Sequence, residues 1–468
     1  MTIVVRGGSV VSTSGATPAD VVIDGETIAA VLAPGSPMAV AAADGAARVL
    51  DATGCYVLPG GVDAHVHLQL PMSPDATSSD TFETGTAAAA WGGTTTIIDF
   101  AGQRAGMHVR DAIDERHAEA DGQCVIDYGF HLSMGDVHDE SLDEMDAVMD
   151  EGITSFKYFM AYPGAWYSDD GKLLRAMQRA ADLGAMVMMH AENGIAIDVL
   201  RDQAIEAGRA EPVWHGRTRP TRLEGEAVHR AAALAEIAGA PLYIVHLSSA
   251  DALEQVRWAR DRGQNVFAET CPQYLYLTID EHLDRDGLDG LRAICSPPLR
   301  EHHHHGSLWQ GLRHDDLAVV ATDHCPFCDN EKLLGVDDFR AAPNGLGSIE
   351  HRMDLLHSGV VTGQLGLSRW VETCSTTPAR LFGLYPNKGV IAPGSDADIV
   401  VYDPVVTHTL GAETHHMNLD HSVWEGVEVT GQVRSVLSRG TFVIDDRSFV
   451  GRAGHGRFVP RSVSDLFV

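Results

Sequence analysis

The chain has 468 residues, 44% hydrophobic and 21% charged, the make-up of an ordinary globular protein with ample length to bury a large core. Its 34 Lys and Arg stand against 65 Asp and Glu, a formal charge of −31, and such a surface repels phosphate backbones, so nucleic acid is excluded as a partner. No apolar run reaches the length of a membrane span, the start "MTIVVRGGSVV" lacks the basic and apolar segments of a secretory leader, and the seven cysteines are scattered and odd in number; the expectation is a cytoplasmic protein with reduced thiols and no membrane contact.

Residues 1–57 are rich in Val, Gly and Ala in short runs, "TIVVRGGSVVS" then "ADVVIDGETIAAVL", separated by Gly-containing turns. That is antiparallel β chemistry. The same texture returns over residues 386–468, in "GSDADIVVYDP" and "SVLSRGTFVID". The two ends are therefore expected to build one small β-sandwich domain, interrupted by a central domain over residues 58–385.

In that central part apolar β runs alternate with helical patterns. The β runs are "VDAHVHL", "TTTIIDF", "DYGFHLS", "ITSFKYF", "AMVMMH", "LYIVHLS", "NVFAET" and "LAVVATD", eight in all. Helical candidates such as "GKLLRAMQRAADLG" and "LEGEAVHRAAALAEIAG" end on Gly, a common helix stop. Near-continuous apolar strands separated by helices form a parallel sheet buried on both faces. Eight such units predict a closed (β/α)8 TIM barrel. An open, doubly wound sheet is the competing α/β architecture, weakened by the lack of a G-x-G-x-x-G after an early strand.

The ionisable residues on these strands carry the functional signal. His65 and His67 in "GVDAHVHLQL" share one face of a strand, which makes either a metal corner or a coincidence. His190 closes "MVMMH", His246 closes "YIVH", and Asp323 closes "VVATD". Strand C-termini converge on one rim of a barrel, where active sites lie. A scatter of core histidines would not choose the same end of each strand, so the set reads as a metal site suited to zinc. Lys157, inside "SFKYF", is the discordant member. A bare buried cation is costly, and nearby divalent ions would drive the amine neutral, free to add CO2 and form a metal-bridging carbamate. The alternative is a lysine that snorkels or pairs with an acid. Two cations sharing one water would hold hydroxide near neutrality, poised to attack a carbonyl carbon. Asp323 would shuttle the proton to a leaving nitrogen. Tyr162, just past Lys157, either stabilises an oxyanion or simply packs.

Taken in order, "GGVDAHVHL", "GGTTTIIDFA", "SFKYFMAY", "HAEN", "VHLSS", "SPPLR", "TDHCPF", "PNGLGSIE" and "GSDADIVVYDP" closely resemble the cyclic amidohydrolases, and within them the dihydropyrimidinase and hydantoinase group. The resemblance spans nearly the whole chain. It implies hydrolysis of hydantoin or dihydropyrimidine rings to N-carbamoyl amino acids at a centre of two Zn2+ per subunit, bridged by N6-carboxylated Lys157. One metal would take His65, His67, Lys157 and Asp323, the other Lys157, His190 and His246. Tyr162 matches the tyrosine that meets the substrate carbonyl, and Ser296 and Asn344 match the positions whose backbone holds the ring. It also implies a homotetramer acting on a small cyclic diamide. Gln69 departs from the acidic residue usual there, which leaves the ring substituent and enantiomer open, and it argues against a dihydroorotase, where an arginine is normal. An allantoinase-type hydrolase and a non-catalytic scaffold homologue are the competing readings.

Three motifs stand apart. "EHHHHGS" at residues 301–307 reads as a solvated loop or an adventitious metal site. "CPFC", Cys325 to Cys328, reads as a loop with two reduced thiols, since no second C-x-x-C completes a zinc ribbon. Glu192 and Asn193 are expected to orient His190.

Overall fold

The computed structural model describes residues 2–467. Eight parallel strands form the centre: β1 (Gly61–Val66), β2 (Thr94–Gln103), β3 (Asp127–Met134), β4 (Ser155–Phe159), β5 (Met186–His190), β6 (Leu242–Ile244), β7 (Val266–Thr270) and β8 (Val319–Val320). They pair in chain order from β1 to β8. Each is an apolar run because helices cover the outside and side chains fill the inside; Val62, Ala64, Ile98, Phe100, Met186, Met188 and Tyr243 meet in that interior. The helices have clear stops: Asp170–Leu183 is capped by Asp169 and ends at left-handed Gly184, and Thr221–Ala238 ends at left-handed Gly239.

Closure between β8 and β1 is made largely by side chains. His67 N–H donates to His324 O at 2.8 Å. The Asp63 carboxylate accepts from the Thr322 N–H at 3.1 Å and its hydroxyl at 2.7 Å. Fully buried Arg352 donates from one Nη1 to Val62 O (2.9 Å) and Val320 O (3.0 Å), one carbonyl on each side of the seam.

Two of the predicted strands stop early. "LYIVHLS" leaves the ladder at Ile244 and "LAVVATD" at Val320, and His246 (φ 40°) and Asp323 (φ 51°) sit beyond in left-handed backbone. A positive φ at a non-glycine residue breaks the pleat and turns the side chain over the barrel mouth.

Both chain ends form a second, mixed sheet of eight strands. Thr441–Ile444, Glu428–Ser438 and Ile399–Thr409 come from the C-terminal part, and Tyr56–Pro59 joins them to Thr2–Ser12, Gly15–Asp24 and Thr27–Leu32, with Arg48–Asp51 paired to Thr2–Ser12. Ile3, Val5, Val21, Ile23, Val57, Ile399 and Leu437 make its core. A buried ion cluster ties this sheet to the barrel: Lys388 Nζ meets Asp127, at the start of β3, at 2.6 Å and both Asp396 and Asp398 at 2.9 Å, and Asp398 also accepts from Thr95 of β2 at 3.1 Å. The final segment then runs under the barrel, with Val459 N–H on Tyr128 O (2.7 Å) and Arg461 N–H on Gly152 O (2.9 Å). Among the described residues no helix is long and apolar enough to cross a membrane.

Candidate metal centre and active site

The strand ends deliver their ionisable groups to one point. His65 Nε2 lies 2.9 Å from Lys157 Nζ, 3.2 Å from His67 Nε2 and 3.2 Å from Asp323 Oδ1. His67 Nε2 is 3.3 Å from the same Asp323 oxygen. His190 and His246 form a second corner, their rings 4.5 Å apart and the His246 ring 5.5 Å from that of His65.

Burial penalises the charged imidazolium and keeps His65, His67 and His246 below the ordinary histidine range, so these rings are neutral at pH 7, the form that binds metal. Burial also lowers Lys157 to about 8, although Asp323 and Glu269 pull the other way; its Nζ rests 4.3 Å from the centre of the Phe100 ring. For Asp323 burial works upward, but His65, His67 and Lys157 together outweigh it and hold the carboxyl at about 2.

Glu269, at the end of β7, was not among the sequence candidates. Its carboxylate meets His65 Nδ1, accepts the His246 N–H at 3.0 Å and accepts the Tyr243 hydroxyl at 2.8 Å. With both oxygens accepting, the proton of the His65 ring belongs on Nδ1, which leaves Nε2 as a lone pair facing the cluster. Burial lifts Glu269 to about 8, and a divalent cation held by His65 would favour its ionised form. The only sequence signal for it was an acid closing a strand of the right order, without a histidine pattern to mark it.

Ligand atoms of His65, His67 and Asp323 all lie within 4.8 Å of one another. Two imidazole nitrogens and a carboxylate oxygen gathered this closely make a donor set that suits zinc. His246 Nδ1 is buried without a hydrogen-bond partner, as suits a nitrogen that ligates a metal. The residues fit the metal pair that the family resemblance implies.

Glu192 accepts from His190 Nε2 at 2.8 Å, which orients that ring. Asn193 does something else: its side chain caps helix Gly194–Glu206 through the Ala196 N–H at 3.1 Å and reaches Glu226 at 2.8 Å. Of the eight described non-glycine residues with positive φ, four lie at this rim, Gln69, Tyr162, His246 and Asp323, and such backbone is held only where surrounding structure enforces it.

A cavity of about 310 Å³ opens above the cluster. Lys157, His67, His190, His246 and Asp323 line its floor, Leu70, Met72, Phe159 and Trp166 its apolar side, and Tyr162, Ser296 and Asn344 its remaining wall. Leu70, Pro71 and Met72 after the H-x-H line it, while Gln69 does not. Cys325 also lines it, with its thiol raised above the ordinary range by burial, and all seven cysteines are unpaired. The histidine tract is no loop. It opens helix His303–Arg313, and two of its rings are buried: His304 Nδ1 accepts the Ala250 N–H at 3.1 Å, and His305 Nε2 meets Leu277 O at 3.0 Å.

Comparison with known proteins agrees with this architecture. The model of the amidohydrolase family matches residues 56–443. A D-hydantoinase of Streptomyces coelicolor is 55% identical over 460 residues, covering 98% of each chain. A D-hydantoinase of Geobacillus stearothermophilus is 46% identical, covering 99% of this chain and 97% of the other. The crystal structure of a dihydropyrimidinase from Brevibacillus agri superposes with a TM-score of 0.96 at 47% identity over 99% of both chains, and an L-hydantoinase from Arthrobacter aurescens with 0.88 at 30% identity over 98% of this chain and 99% of the other.

Proposed function

The chain belongs to the amidohydrolase family, and we propose that it is a zinc-dependent hydrolase that opens hydantoin or dihydropyrimidine rings to N-carbamoyl amino acids. The observation that carries this reading is the convergence of His65, His67, Asp323 and Lys157 on one point beneath a cavity sized for a small ring.

His65, His67 and Asp323 would hold one cation, His190 and His246 the other, and Lys157 would join them once its amine has added CO2, forming an N–C bond and releasing one proton. Bound there, divalent cations supply Lewis acidity that polarises a carbonyl and lowers the pKa of water. Asp323 takes a proton on its carboxylate as water adds to the scissile amide carbon, then passes it to the departing ring nitrogen. The Tyr162 hydroxyl donates to the oxygen that gains charge; burial keeps this phenol protonated, raised above its ordinary range. The backbone at Ser296 and Asn344 holds the ring amide and carbonyls, and the apolar side of the cavity receives the ring substituent and excludes water. The relatives named D-hydantoinase support a D preference at the substituted carbon. A homotetramer and a cytoplasmic setting complete the reading, the latter in keeping with seven free thiols.

Hydantoin, dihydrouracil and allantoin offered side by side to zinc-loaded and chelated enzyme test it. Metal-dependent opening of hydantoin or dihydrouracil, with the D enantiomer of a 5-substituted hydantoin consumed first on chiral chromatography, is the expected result. Activity on allantoin alone would move the chain to an allantoinase, no turnover at full zinc loading would mean that the loop after His67 selects a different substrate, and failure to bind zinc would make it a scaffold.

A further inference from the structure

Lys332 is a buried cation without an acid. Only 1% of its surface is exposed, and no carboxylate among the described residues lies within ion-pair distance of it. Its neighbour Glu331 is turned away, accepting the Thr77 N–H at 2.9 Å and the Cys328 N–H at 3.0 Å. Burying an ammonium this way is expensive, and a structural link between two loops could be made with neutral donors.

What the ammonium does instead is donate to three carbonyls: Ile294 O at 3.0 Å, Pro343 O at 2.9 Å and Gly345 O at 2.8 Å. An ammonium has three N–H donors, and all are used. Two of these carbonyls flank Asn344 and the third lies two residues before Ser296. Both loops line the cavity, through Ser296 on one and Asn344 and Gly345 on the other. The loops also meet directly through the Gly345 N–H on Ile294 O at 3.0 Å. The neighbouring carbonyls of the first loop are held too, Cys295 O by His215 Nε2 at 2.8 Å and Pro297 O by the Tyr274 hydroxyl at 2.7 Å, and none of these bonds takes the backbone of Ser296 itself. The Asn344 loop also packs closely on the segment after Asp323, where a Cβ on Gly345 would fall 2.1 Å from Cys325 O.

We propose that Lys332 is a positioning residue that sets the spacing of the Ser296 and Asn344 backbones, and so fixes how tightly the ring is held without taking part in bond breaking. The inference rests on the reading of those two backbones as the ring-holding groups. It makes Lys332 a determinant of substrate affinity placed outside the metal cluster.

The test is steady-state kinetics on Lys332→Met, with metal content measured on the same sample. KM for the best ring substrate is expected to rise about ten- to a hundred-fold, the scale of losing one hydrogen bond from a charged donor, with kcat within about threefold of wild type and zinc per subunit unchanged. Lys332→Arg keeps the charge in a larger head and is the second variant should the methionine form fail to fold; the same split is expected of it. An unchanged KM overturns the proposal, and so does a fall in kcat that tracks lost zinc, which would assign Lys332 to the metal centre. If wild type opens no cyclic amide, the proposed function fails instead, and the two failures are separate.

Discussion

Glu269→Gln isolates the negative charge behind His65. Glutamine keeps the shape, and its amide oxygen can still accept from His65 Nδ1 and the His246 N–H, while its NH2 faces the Tyr243 hydroxyl, which can turn to accept. No cavity is made, although the buried Tyr243 hydroxyl loses its acceptor. What goes is charge assistance: hydrogen bonds to an ionised partner contribute about 1.5–3 kcal/mol against about 0.5–1.5 kcal/mol for neutral ones. His65 Nε2 therefore becomes a weaker donor by about 1–2 kcal/mol, or about five- to thirty-fold in affinity for the cation that His65 shares with His67 and Asp323. A chelator titration followed by bound zinc should show the midpoint shifted by that factor, with much of the turnover restored at saturating zinc. A titration superimposable on wild type would mean that Glu269 is only a packed acid and that the tautomer assigned to His65 is wrong.

Three other substitutions probe separate parts of the molecule. Lys157→Ala should cost essentially all turnover and lower zinc content below two per subunit by mass spectrometry; full activity in that variant would sink the bridging role. Arg352→Met removes both seam carbonyl bonds and leaves Asp63 buried without its nearest cation, so calorimetry should show destabilisation of about 3–5 kcal/mol, and an unchanged melting temperature would mean the seam is held without it. His304→Gln tests a pH effect: burial lowers His304 to about 4, and as a neutral ring it accepts the Ala250 N–H. The folded state then binds fewer protons than the unfolded one between about pH 6.5 and 4, so this contribution is complete above that window and is lost as pH falls through it. Between pH 7 and 5 wild type should lose about 2 kcal/mol more than the glutamine variant, and parallel melting curves would refute the assignment.

The barrel was legible because parallel strands buried on both faces must be apolar along their whole length, and all eight runs from "VDAHVHL" to "LAVVATD" contribute strands to it in order. Groups that depend on partners far along the chain were harder to see. Arg352 closes a seam against Val62 across 290 positions, and nothing local marks it. Glu269 looks like any acid closing a strand until β7 is placed beside β6. The four-histidine tract read as solvated because its polarity hides a helical face, on which His304 serves as the acceptor for the start of helix Ala250–Arg260. Asn193 was grouped with Glu192 by adjacency, but successive residues past a strand end point apart, and only Glu192 reaches His190.

The chain contains four lysines, and three of them, Lys157, Lys332 and Lys388, are buried at the cavity floor, between two loops and at the junction of barrel and sheet. Its surface cations are therefore almost all arginines. For a reagent that acylates amines, the lysine the molecule presents is Lys172, half-buried at the start of helix Asp170–Leu183. Coupling to a solid support through lysine would accordingly tether the protein at one defined point, and the lysine at the cavity floor is left to a reagent as small as CO2.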